Sequence, residues 1–370
     1  MSPNGRSSRA PGSVGVAVVG YGSGAQHYHV PYLKALDGFS VSAIVCGAPD
    51  RRAKARADFP QATVYDSVAA MLKHGADADL AVVVTPNSTH AQVSRSLLGA
   101  GFDLVIDKPI ALTAGEARSV VSDAARMNRV VVPYLNRRWD SDFVAVQRAV
   151  SSGEPGRVRE LRSRVDRWRP VAKNHWSART RHEAGGGMIY GFGPHLVDQA
   201  LLLLGPVEAV SAKVACLRVP GVPDEFELEL THATGARSIV GASDLTAPSA
   251  ARPRFEIRGS ATTIRTFGMD AQEAVIRSGV HPSDKALWDE ALAARAPRMQ
   301  SGDTSESARL PSTSALEFWI RLGRYLRGNG PVPADPVDAI AGLAVLDAAY
   351  ESWRGQTEIR VEKAVDPAAT

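Results

Sequence analysis

The sequence predicts an α/β protein with two domains, a doubly wound parallel sheet followed by an α/β domain with a large open, mainly antiparallel sheet. Short apolar runs alternate with longer amphipathic stretches up to Leu135, whereas strand-like runs follow one another without intervening helices beyond Asp140. Strands that are apolar throughout are buried on both faces, as in parallel sheets covered by helices. Consecutive strands instead pair antiparallel and leave one face of the sheet open.

Five apolar runs form the predicted parallel sheet of residues 14–135: VGVAVV, SVSAIVC, DLAVVVT, FDLVID and RVVVPYL. They are rich in β-branched residues, and a helical pattern follows each run. Thr113 is an N-cap candidate with Glu116 three residues later, as in a capping box, so a helix is expected up to Asn128. The alternation of strand and helix predicts a doubly wound domain.

The second domain is predicted over residues 136–361, and its first element is a helix that reaches Val150. Its strand-like runs are VRELRSRVDRW, EAVSAKVACLRV, EFELELTHA, ARSIVGAS and PRFEIRGS. The segment 278–314 is rich in Ser, Pro, Ala and charge and is expected to be irregular. Helical patterns at 314–327 and 336–354 complete the domain.

The composition is that of a globular protein long enough for two hydrophobic cores. Of the 370 residues, 44% are hydrophobic and 22% are charged. The 43 basic and 39 acidic side chains give a net charge of +4 and are spread along the whole sequence. This excess is a weak indication of an anionic ligand, and no nucleic-acid partner is expected because the basic residues form no polybasic tail.

The cysteine content and the termini favour a cytoplasmic protein. Cys46 and Cys216 are too few and too far apart for a disulfide scaffold or a cysteine zinc site, and no metal is expected. No run approaches the ~18 apolar residues of a membrane span, so no membrane partner is expected. Residues 1–13 lack an apolar core of signal-peptide length and are interpreted as a disordered leader, and residues 362–370 as a tail.

Directly after the first strand, six residues match the dinucleotide-binding pattern G-x-G-x-x-[G/A]: Gly20, Tyr21, Gly22, Ser23, Gly24 and Ala25. Gly20 permits a tight turn, Gly22 lets the backbone approach a pyrophosphate, and Ala25 allows close packing of helix and strand. The N-terminus of the next helix then presents N–H groups to the phosphates. The alternative is a glycine-rich turn without a ligand, but the position at the first strand–helix junction favours a Rossmann-type NAD(P) site.

The end of the second strand bears on the choice between NADP and NAD. It lacks an acidic residue at its very end to grip a ribose 2′-hydroxyl, although Asp50 lies slightly further on. Arg51 and Arg52 suit a 2′-phosphate, so NADP is predicted, with NAD as the alternative. In the other interpretation, Asp50 caps the next helix and the two arginines are solvated in its first turn.

Two further loops follow the fourth and fifth strands, at the edge where doubly wound sheets bind ligands. They read Thr85-Pro86-Asn87-Ser88-Thr89-His90 and Asp107-Lys108-Pro109. Together with the glycine loop they resemble the glucose-fructose oxidoreductase, inositol dehydrogenase and rhizopine-catabolism (Gfo/Idh/MocA) family, whose loops read T-P-x-x-x-H and E-K-P. In addition to the glycine loop and the two arginines, the resemblance implies cofactor contacts at Thr85, Pro86, Asn87, His90, Asp107, Lys108, Pro109 and Asn136.

The resemblance extends from Val14 to about Val361. The segments 136–143 and 166–170 look like those of a branch that includes NADP-dependent scyllo-inositol dehydrogenases, and residues 185–198 are similar to the motif G-G-G-x-x-x-D-x-G-x-H-x-x-D. The resemblance implies a small-molecule polyol or keto-sugar substrate and a homodimer or homotetramer. Its implied substrate contacts are Arg138, Trp139, Asp166, Arg167, Tyr190 and His195.

Lys108 and His195 are the catalytic candidates, by their positions in the family motifs. Oxidation of a secondary alcohol requires a base near the hydroxyl group, for which His195 is the candidate, while Lys108 would polarise the oxygen. The alternatives are a capped or core histidine and a solvated lysine at a strand end. Gly191 departs from the motif, because the family has an aspartate there that completes the acid/base group.

Aromatic and basic residues near these motifs leave two interpretations open. Trp139 and Trp168 either offer an apolar face to a sugar ring or pack in the interior. Four arginines either bind a polyol or anionic ligand or face solvent on an edge strand: Arg137, Arg138, Arg167 and Arg169.

The predicted function is hydride transfer between NAD(P) and a secondary alcohol or ketone of a cyclitol, sugar or related secondary-metabolite precursor. Gly191 keeps two alternatives open. One is a non-catalytic NAD(P)-binding or regulatory protein, and the other is NAD-assisted elimination or glycoside cleavage.

Overall fold

The computed structural model describes residues 12–172, 174–249, 252–303 and 308–362. Six parallel strands form the first sheet: β1 Val14–Val19, β2 Phe39–Val45, β3 Thr63–Tyr65, β4 Leu80–Val83, β5 Asp103–Asp107 and β6 Val131–Tyr134. Their order across the sheet is β3-β2-β1-β4-β5-β6, so the direction of winding reverses between β1 and β4. The predicted doubly wound sheet is confirmed, and the loops after β1, β4 and β5 lie side by side at its carboxyl edge.

Alternating side chains of β1 are buried in two different hydrophobic cores. Val16 and Val18 contribute to one core, and Ala17 and Val19 to the other, because successive side chains of a strand point to opposite faces. Five helices of this domain contribute to the two cores: α1 Val30–Lys34, α2 Pro49–Asp58, α3 Val68–His74, α4 His90–Gly99 and α5 Ala114–Arg126. Burial on both faces explains why the predicted runs are apolar throughout.

The capping box predicted at Thr113 is present. The Thr113 hydroxyl accepts a hydrogen bond from the Glu116 N–H at 3.2 Å, and the Glu116 carboxylate accepts one from the Leu112 N–H at 3.1 Å. The Glu116 N–H of α5 thereby gains a partner that the helix itself does not provide. The Glu116 carboxylate reaches the residue before the N-cap instead of the N-cap itself.

The second sheet has nine strands: β7 Val158–Asp166, β8 Val207–Ala215, β9 Glu225–His232, β10 Arg237–Ser243, β11 Phe255–Gly259, β12 Thr263–Phe267, β13 Arg298–Ser301, β14 Ala308–Arg309 and β15 Ile359–Arg360. Their order is β14-β13-β12-β11-β7-β10-β9-β8-β15. The β7–β10 pair is parallel and the other neighbours are antiparallel, so the sheet is mixed but mainly antiparallel. The alternative that places the four arginines on an edge strand is wrong. Arg137 and Arg138 lie in a helical turn before residue 141, and Arg167 and Arg169 follow β7, which lies at the centre of the sheet.

One face of this sheet is apolar and the other is charged. Along β9 the side chains of Phe226, Leu228 and Leu230 are buried, while the glutamates between them face the opposite side. Six helices come from the second part of the chain: α6 Ser141–Ser151, α7 Gly187–Leu204, α8 Gln272–Arg277, α9 Lys285–Ala294, α10 Leu316–Leu326 and α11 Pro336–Gly355. The apolar face packs against α6, α7 and α11, whereas α8, α9 and α10 belong to the core that contains Val16 and Val18 of the first sheet. On the charged face, Arg164 binds Glu225 and Glu227 at 2.9 and 3.2 Å.

Some sequence predictions differ from the structure. The segment 278–314 contains α9 and strand β13, so the prediction of irregular structure is wrong there, because its apolar residues Trp288 and Leu292 are buried in a core. Asp50 does not cap α2; Ala48 is the N-cap and Asp50 lies in the first turn. Of the predicted leader and tail, residues 1–11 and 363–370 lie outside the described residues. Among the described helices, none is long and apolar enough to cross a membrane.

Candidate active site

A cleft of about 840 Å³ runs along the carboxyl edge of the parallel sheet and continues against α7 and the loop that follows β7. Its walls come from the ends of β1, β2, β4 and β5 on one side and from the second sheet's domain on the other. Fifteen of the residues predicted from sequence line it: Gly20, Tyr21, Gly22, Ser23, Gly24, Arg51, Thr85, Pro86, Asn87, Asp107, Lys108, Asn136, Arg167, Tyr190 and His195. The position agrees with the rule for ligand sites in doubly wound sheets.

The glycine loop has the conformation that a dinucleotide site requires. Gly20 has a φ of +100°, and a Cβ atom there would lie 2.5 Å from the Val84 carbonyl oxygen. A Cβ at Gly24 would lie 2.9 Å from Val84 Cγ1, so the loop packs tightly against the end of β4. Ala25 is fully buried at the start of the helical segment that follows. These residues fit the backbone approach of a pyrophosphate group.

The two arginines after β2 have different surroundings. Arg51 lines the cleft, and its guanidinium would lie 3.6 Å from a Cβ atom at Gly22. Arg52 instead donates a hydrogen bond to the Gly47 carbonyl oxygen at 2.8 Å and does not line the cleft. Of the two, Arg51 is therefore the one positioned to meet a group bound at the glycine loop.

The loops after β4 and β5 are tied together by a buried histidine. The ring nitrogens of His90 lie 2.7 Å from the Pro109 carbonyl oxygen and 2.8 Å from the Thr85 carbonyl oxygen. Neither His90 nor Pro109 lines the cleft, so they hold the two loops in place instead of facing a ligand. Asn87 does line it and donates to the Gly185 carbonyl oxygen at 2.8 Å, which joins the two walls.

Lys108 binds the backbone of α7 at the place where Pro194 interrupts the hydrogen bonds of that helix. Pro194 lies inside α7 and has no N–H to offer the carbonyl of Tyr190, four residues earlier. The Lys108 ammonium donates to the carbonyl oxygens of Gly191 at 2.6 Å and Tyr190 at 3.4 Å. The sequence of α7 thus supplies acceptors that hold Lys108 across the cleft.

Burial lowers the pKa of Lys108 to about 8; Asp107 opposes this shift, and the charges of Arg137 and Arg167 add to it. Asp107 also lines the cleft and accepts a hydrogen bond from the Lys108 N–H at 2.8 Å. A lysine whose pKa is near the pH of the cell can gain or lose a proton readily, which suits acid/base chemistry.

His195 lies in the cleft wall one turn of α7 after Gly191 and is 5% exposed. Burial lowers its pKa well below the usual value, and the positive charges of Lys108, Arg137 and Arg254 lower it further. The imidazole is therefore neutral at physiological pH. Among the described residues, none forms a hydrogen bond with its ring nitrogens, which leaves them available to a ligand in the cleft.

Two kinds of glycine lie at the N-cap and in the first turns of α7. A Cβ atom at Gly186 would lie 1.7 Å from the Thr180 carbonyl oxygen, and one at Gly187 would lie 2.5 Å from Pro223 Cδ. Close packing therefore requires glycine at both positions. A Cβ atom at Gly191 would meet nothing within 4 Å, so this glycine leaves open space in the cleft.

Two arginines flank the ring of Phe192, which also lines the cleft. The Arg167 guanidinium carbon lies 4.2 Å from the ring centroid, and that of Arg137 lies 5.6 Å from it. Arg137 donates to Asp140 at 2.7 Å, and Gln199 of α7 donates to the Arg137 carbonyl oxygen at 3.1 Å. The turn that carries Arg137 is thus held against α7.

Three predicted substrate contacts do not reach the cleft. Arg138 forms a bidentate pair with Asp198 at 2.9 and 2.5 Å. Trp139 is buried against Phe318, and Asp166 binds Arg164 of β7 and Arg252 of the loop before β11. Their positions give them structural contacts, and a direct substrate contact is not supported for any of the three. Of the two tryptophans, Trp139 is in the interior, whereas Trp168 is 59% exposed and also lies outside the cleft lining.

Several lining residues have no recognisable signal in the sequence. They include Tyr28, Asp244, Glu273, Arg277, His175 and Trp176. Glu273 and Arg277 come from α8, far along the chain from every motif, and only the folding of the second domain brings them to the glycine loop. Phe192 differs from these residues, because it lies inside the sequence motif that contains His195 and that motif gave a weak indication of its position.

Comparison with known proteins agrees with this geometry. Residues 14–135 match the model of an oxidoreductase family with an NAD-binding Rossmann fold, and residues 143–265 match that of the GFO/IDH/MocA C-terminal domain. An uncharacterized oxidoreductase of Schizosaccharomyces pombe is 32% identical over 93% of this chain and 98% of its own length. The chain belongs to the Gfo/Idh/MocA family of oxidoreductases.

Other Gfo/Idh/MocA proteins resemble this one along nearly their whole length. The scyllo-inositol 2-dehydrogenase (NADP+) IolW of Bacillus subtilis is 27% identical, over 95% of this chain and 96% of that protein. A solved structure from Klebsiella pneumoniae, to which an oxidoreductase function has been ascribed, superposes with a TM-score of 0.83. It is 28% identical and covers 97% of this chain, and 98% of that chain is matched. NAD(P) binding is therefore a property of the family to which this chain belongs.

Proposed function

We propose that this protein is an NADP-dependent dehydrogenase or reductase that acts on a secondary alcohol or ketone of a cyclitol, a sugar or a related secondary-metabolite precursor. The observation that carries the proposal is that Lys108 and His195 line the same cleft as the glycine loop. A nicotinamide cofactor bound at that loop would supply the hydride acceptor or donor. The IolW relative, a scyllo-inositol dehydrogenase by name, supports a polyol as the substrate class.

The pKa shifts support a division of labour between the two catalytic candidates. A neutral His195 can accept a hydrogen bond from the substrate hydroxyl, but its lowered pKa makes it a weak base. Lys108, with a pKa of about 8, takes up the hydroxyl proton during oxidation and returns it to the oxygen during reduction. His195 remains a candidate for orienting the substrate, and its role as the base stays a prediction.

Arg51 supports the preference for NADP. It lines the cleft beside Gly22. No acidic residue stands at the end of β2, and Asp50, in the first turn of α2, does not line the cleft. A guanidinium there suits the 2′-phosphate of NADP, whereas Arg52 is occupied by the Gly47 carbonyl oxygen. The cytoplasmic location and the homodimer or homotetramer remain predictions.

The test of the proposed function is a screen of cofactor oxidation and reduction against a panel of cyclitols and keto-sugars. The absorbance of the reduced nicotinamide reports the turnover. We expect net turnover with NADP(H), abolished in Lys108→Met and unchanged in Lys213→Met, which alters an exposed lysine on β8. A protein that binds NADPH but turns over nothing in the panel contradicts the proposal and favours the non-catalytic alternative. Product formation without net cofactor consumption favours elimination or glycoside cleavage.

A further inference from the structure

The cleft carries an excess of positive charge. Six basic side chains line it, namely Arg51, Lys108, Arg137, Arg167, Arg169 and Arg277. Among the described residues, three carboxylates line it, namely Asp107, Asp244 and Glu273. A cleft wall with unbalanced positive charge attracts an anionic ligand.

Arg167 is the half-buried arginine of this set that lacks a compensating anion; Arg51 also has no ion pair among the described residues, but it is exposed. Among the described residues the Arg167 guanidinium has neither an ion pair nor a side-chain hydrogen bond, and its contact is the face of Phe192. Burial and the neighbouring Arg169 lower the pKa of Arg167 to about 10. By contrast, Arg169 lies 3.7 Å from Asp244, and Arg137 binds Asp140. A half-buried guanidinium without an anion is electrostatically unfavourable, and a ligand anion would relieve this.

Arg137, whose guanidinium carbon lies 5.6 Å from the centroid of the Phe192 ring, has one further unused donor. Its Nε atom is buried and has no hydrogen-bond partner among the described residues. Both arginines are near enough to Lys108 to lower its pKa, so the two guanidinium groups and the proposed reacting centre share one region of the cleft. Gly191, the residue before Phe192, leaves open space beside them because a Cβ atom there meets nothing within 4 Å.

We infer that the substrate itself carries an anionic group, a carboxylate or a phosphate, that binds Arg167 and Arg137 in the space beside Gly191. This inference rests on the proposed function and names its substrate class: an acidic sugar or cyclitol, or a phosphate ester of one. Guanidinium groups form two parallel hydrogen bonds with either anion, and Phe192 holds them in place. The phosphates of the cofactor are expected at the other end of the cleft, by the glycine loop and Arg51.

The first experiment measures, by calorimetry, the affinity of three sugar probes for the protein saturated with NADPH. The probes are D-glucose as the neutral compound, D-glucuronate as the carboxylate and D-glucose 6-phosphate as the phosphate. We expect at least one anion to bind about 10-fold or more tightly than glucose, and this advantage to disappear in Arg167→Gln. Arg162→Gln is the matched control, because Arg162 lies on β7, five residues before Arg167, is half-exposed and pairs with Glu160 outside the cleft.

The second experiment substitutes Gly191, where the cleft has open space. Gly191→Asp and Gly191→Asn introduce side chains of nearly equal size into the same free space, but only aspartate brings a negative charge next to the arginines. We expect Gly191→Asp to lose the preference for the anion and Gly191→Asn to retain most of it. Thermal unfolding of both variants with NADPH present separates this effect from misfolding.

The outcomes separate the two proposals. If neutral and anionic probes bind equally, or if Arg167→Gln and Arg162→Gln behave alike, the anionic substrate class is wrong even where neutral polyols are turned over. If an anion binds at Arg167 but no compound of either class is oxidised or reduced, the proposed dehydrogenase function fails while the anion site stands. Weaker NADPH binding in Arg167→Gln with unchanged probe preference assigns Arg167 to the cofactor and overturns the inference.

Discussion

The two ends of the cleft are built in different ways. At the cofactor end, the five consecutive residues from Gly20 to Gly24 line the cleft, and their backbone conformation matters more than their side chains. At the other end, the surface consists of side chains from distant segments, including Lys108 after β5, Arg167 after β7 and Phe192 and His195 on α7.

Glycine illustrates what this difference means. Gly20 has a left-handed conformation and no space for a Cβ atom, whereas Gly191 lies in a helix with open space around it. A substitution at the first position disturbs the fold of the loop, but a substitution at the second changes only the chemistry of the cleft. The substrate end can therefore change its specificity without changing the fold.

The largest effect is expected for Gly20→Ala. The new Cβ atom would lie 2.5 Å from the Val84 carbonyl oxygen, and the φ of +100° is unfavourable for alanine. We expect at least ~100-fold weaker NADPH binding and a lower melting temperature, with a cost of about 1–3 kcal/mol from backbone strain alone. Fluorescence titration and thermal unfolding measure both. Gly191→Ala is the control, and equal NADPH affinities in the two variants would remove the distinction between the two ends.

Lys108→Ala and His195→Ala test the substrate end. Each is expected to lower turnover by at least ~10²-fold while leaving NADPH affinity largely intact, because both groups act on the substrate oxygen and its proton. Steady-state kinetics and NADPH titration measure the two effects separately. Near wild-type turnover of His195→Ala on the native substrate would assign His195 a purely structural role.

The pH dependence follows from the pKa of about 8 for Lys108. Neutral Lys108 accepts the proton in alcohol oxidation, so the oxidation rate should rise as the pH increases through about 8. Protonated Lys108 donates in reduction, so the reduction rate should fall over the same range. His195 should contribute no step near neutral pH, since its pKa lies well below the usual value. Rate profiles in both directions that are flat near pH 8 would exclude Lys108 as the titrating group.

The smallest effect concerns the choice of cofactor. Arg51→Ala should weaken NADPH binding about 10-fold relative to NADH, because one charge-assisted contact with the 2′-phosphate is lost. Arg52→Ala should change the preference little, since that side chain binds the Gly47 carbonyl oxygen. Calorimetric affinities for both cofactors give the ratio. Equal wild-type affinities for NADPH and NADH would show that the 2′-phosphate is not recognised.

Local sequence determined the parallel sheet, the glycine loop and the cap of α5. Each depends on neighbours in the chain: apolar runs that match buried strands, a glycine at a turn with positive φ, and a threonine three residues before Glu116. The positions of Lys108 and His195 were also predictable, because both lie in short motifs next to strand or helix ends.

Other features were decided only by the tertiary structure. The sequence suggested the same role for Arg138 and Arg167, yet Asp198 binds Arg138 while Arg167 remains without an ion pair among the described residues. The central position of β7 likewise depends on contacts between segments that are distant in the sequence, and so do the positions of Glu273 and Arg277 in the cleft wall. Whether a charged side chain is neutralised depends on which segments fold against it, and this information is not local to the motif that contains the side chain.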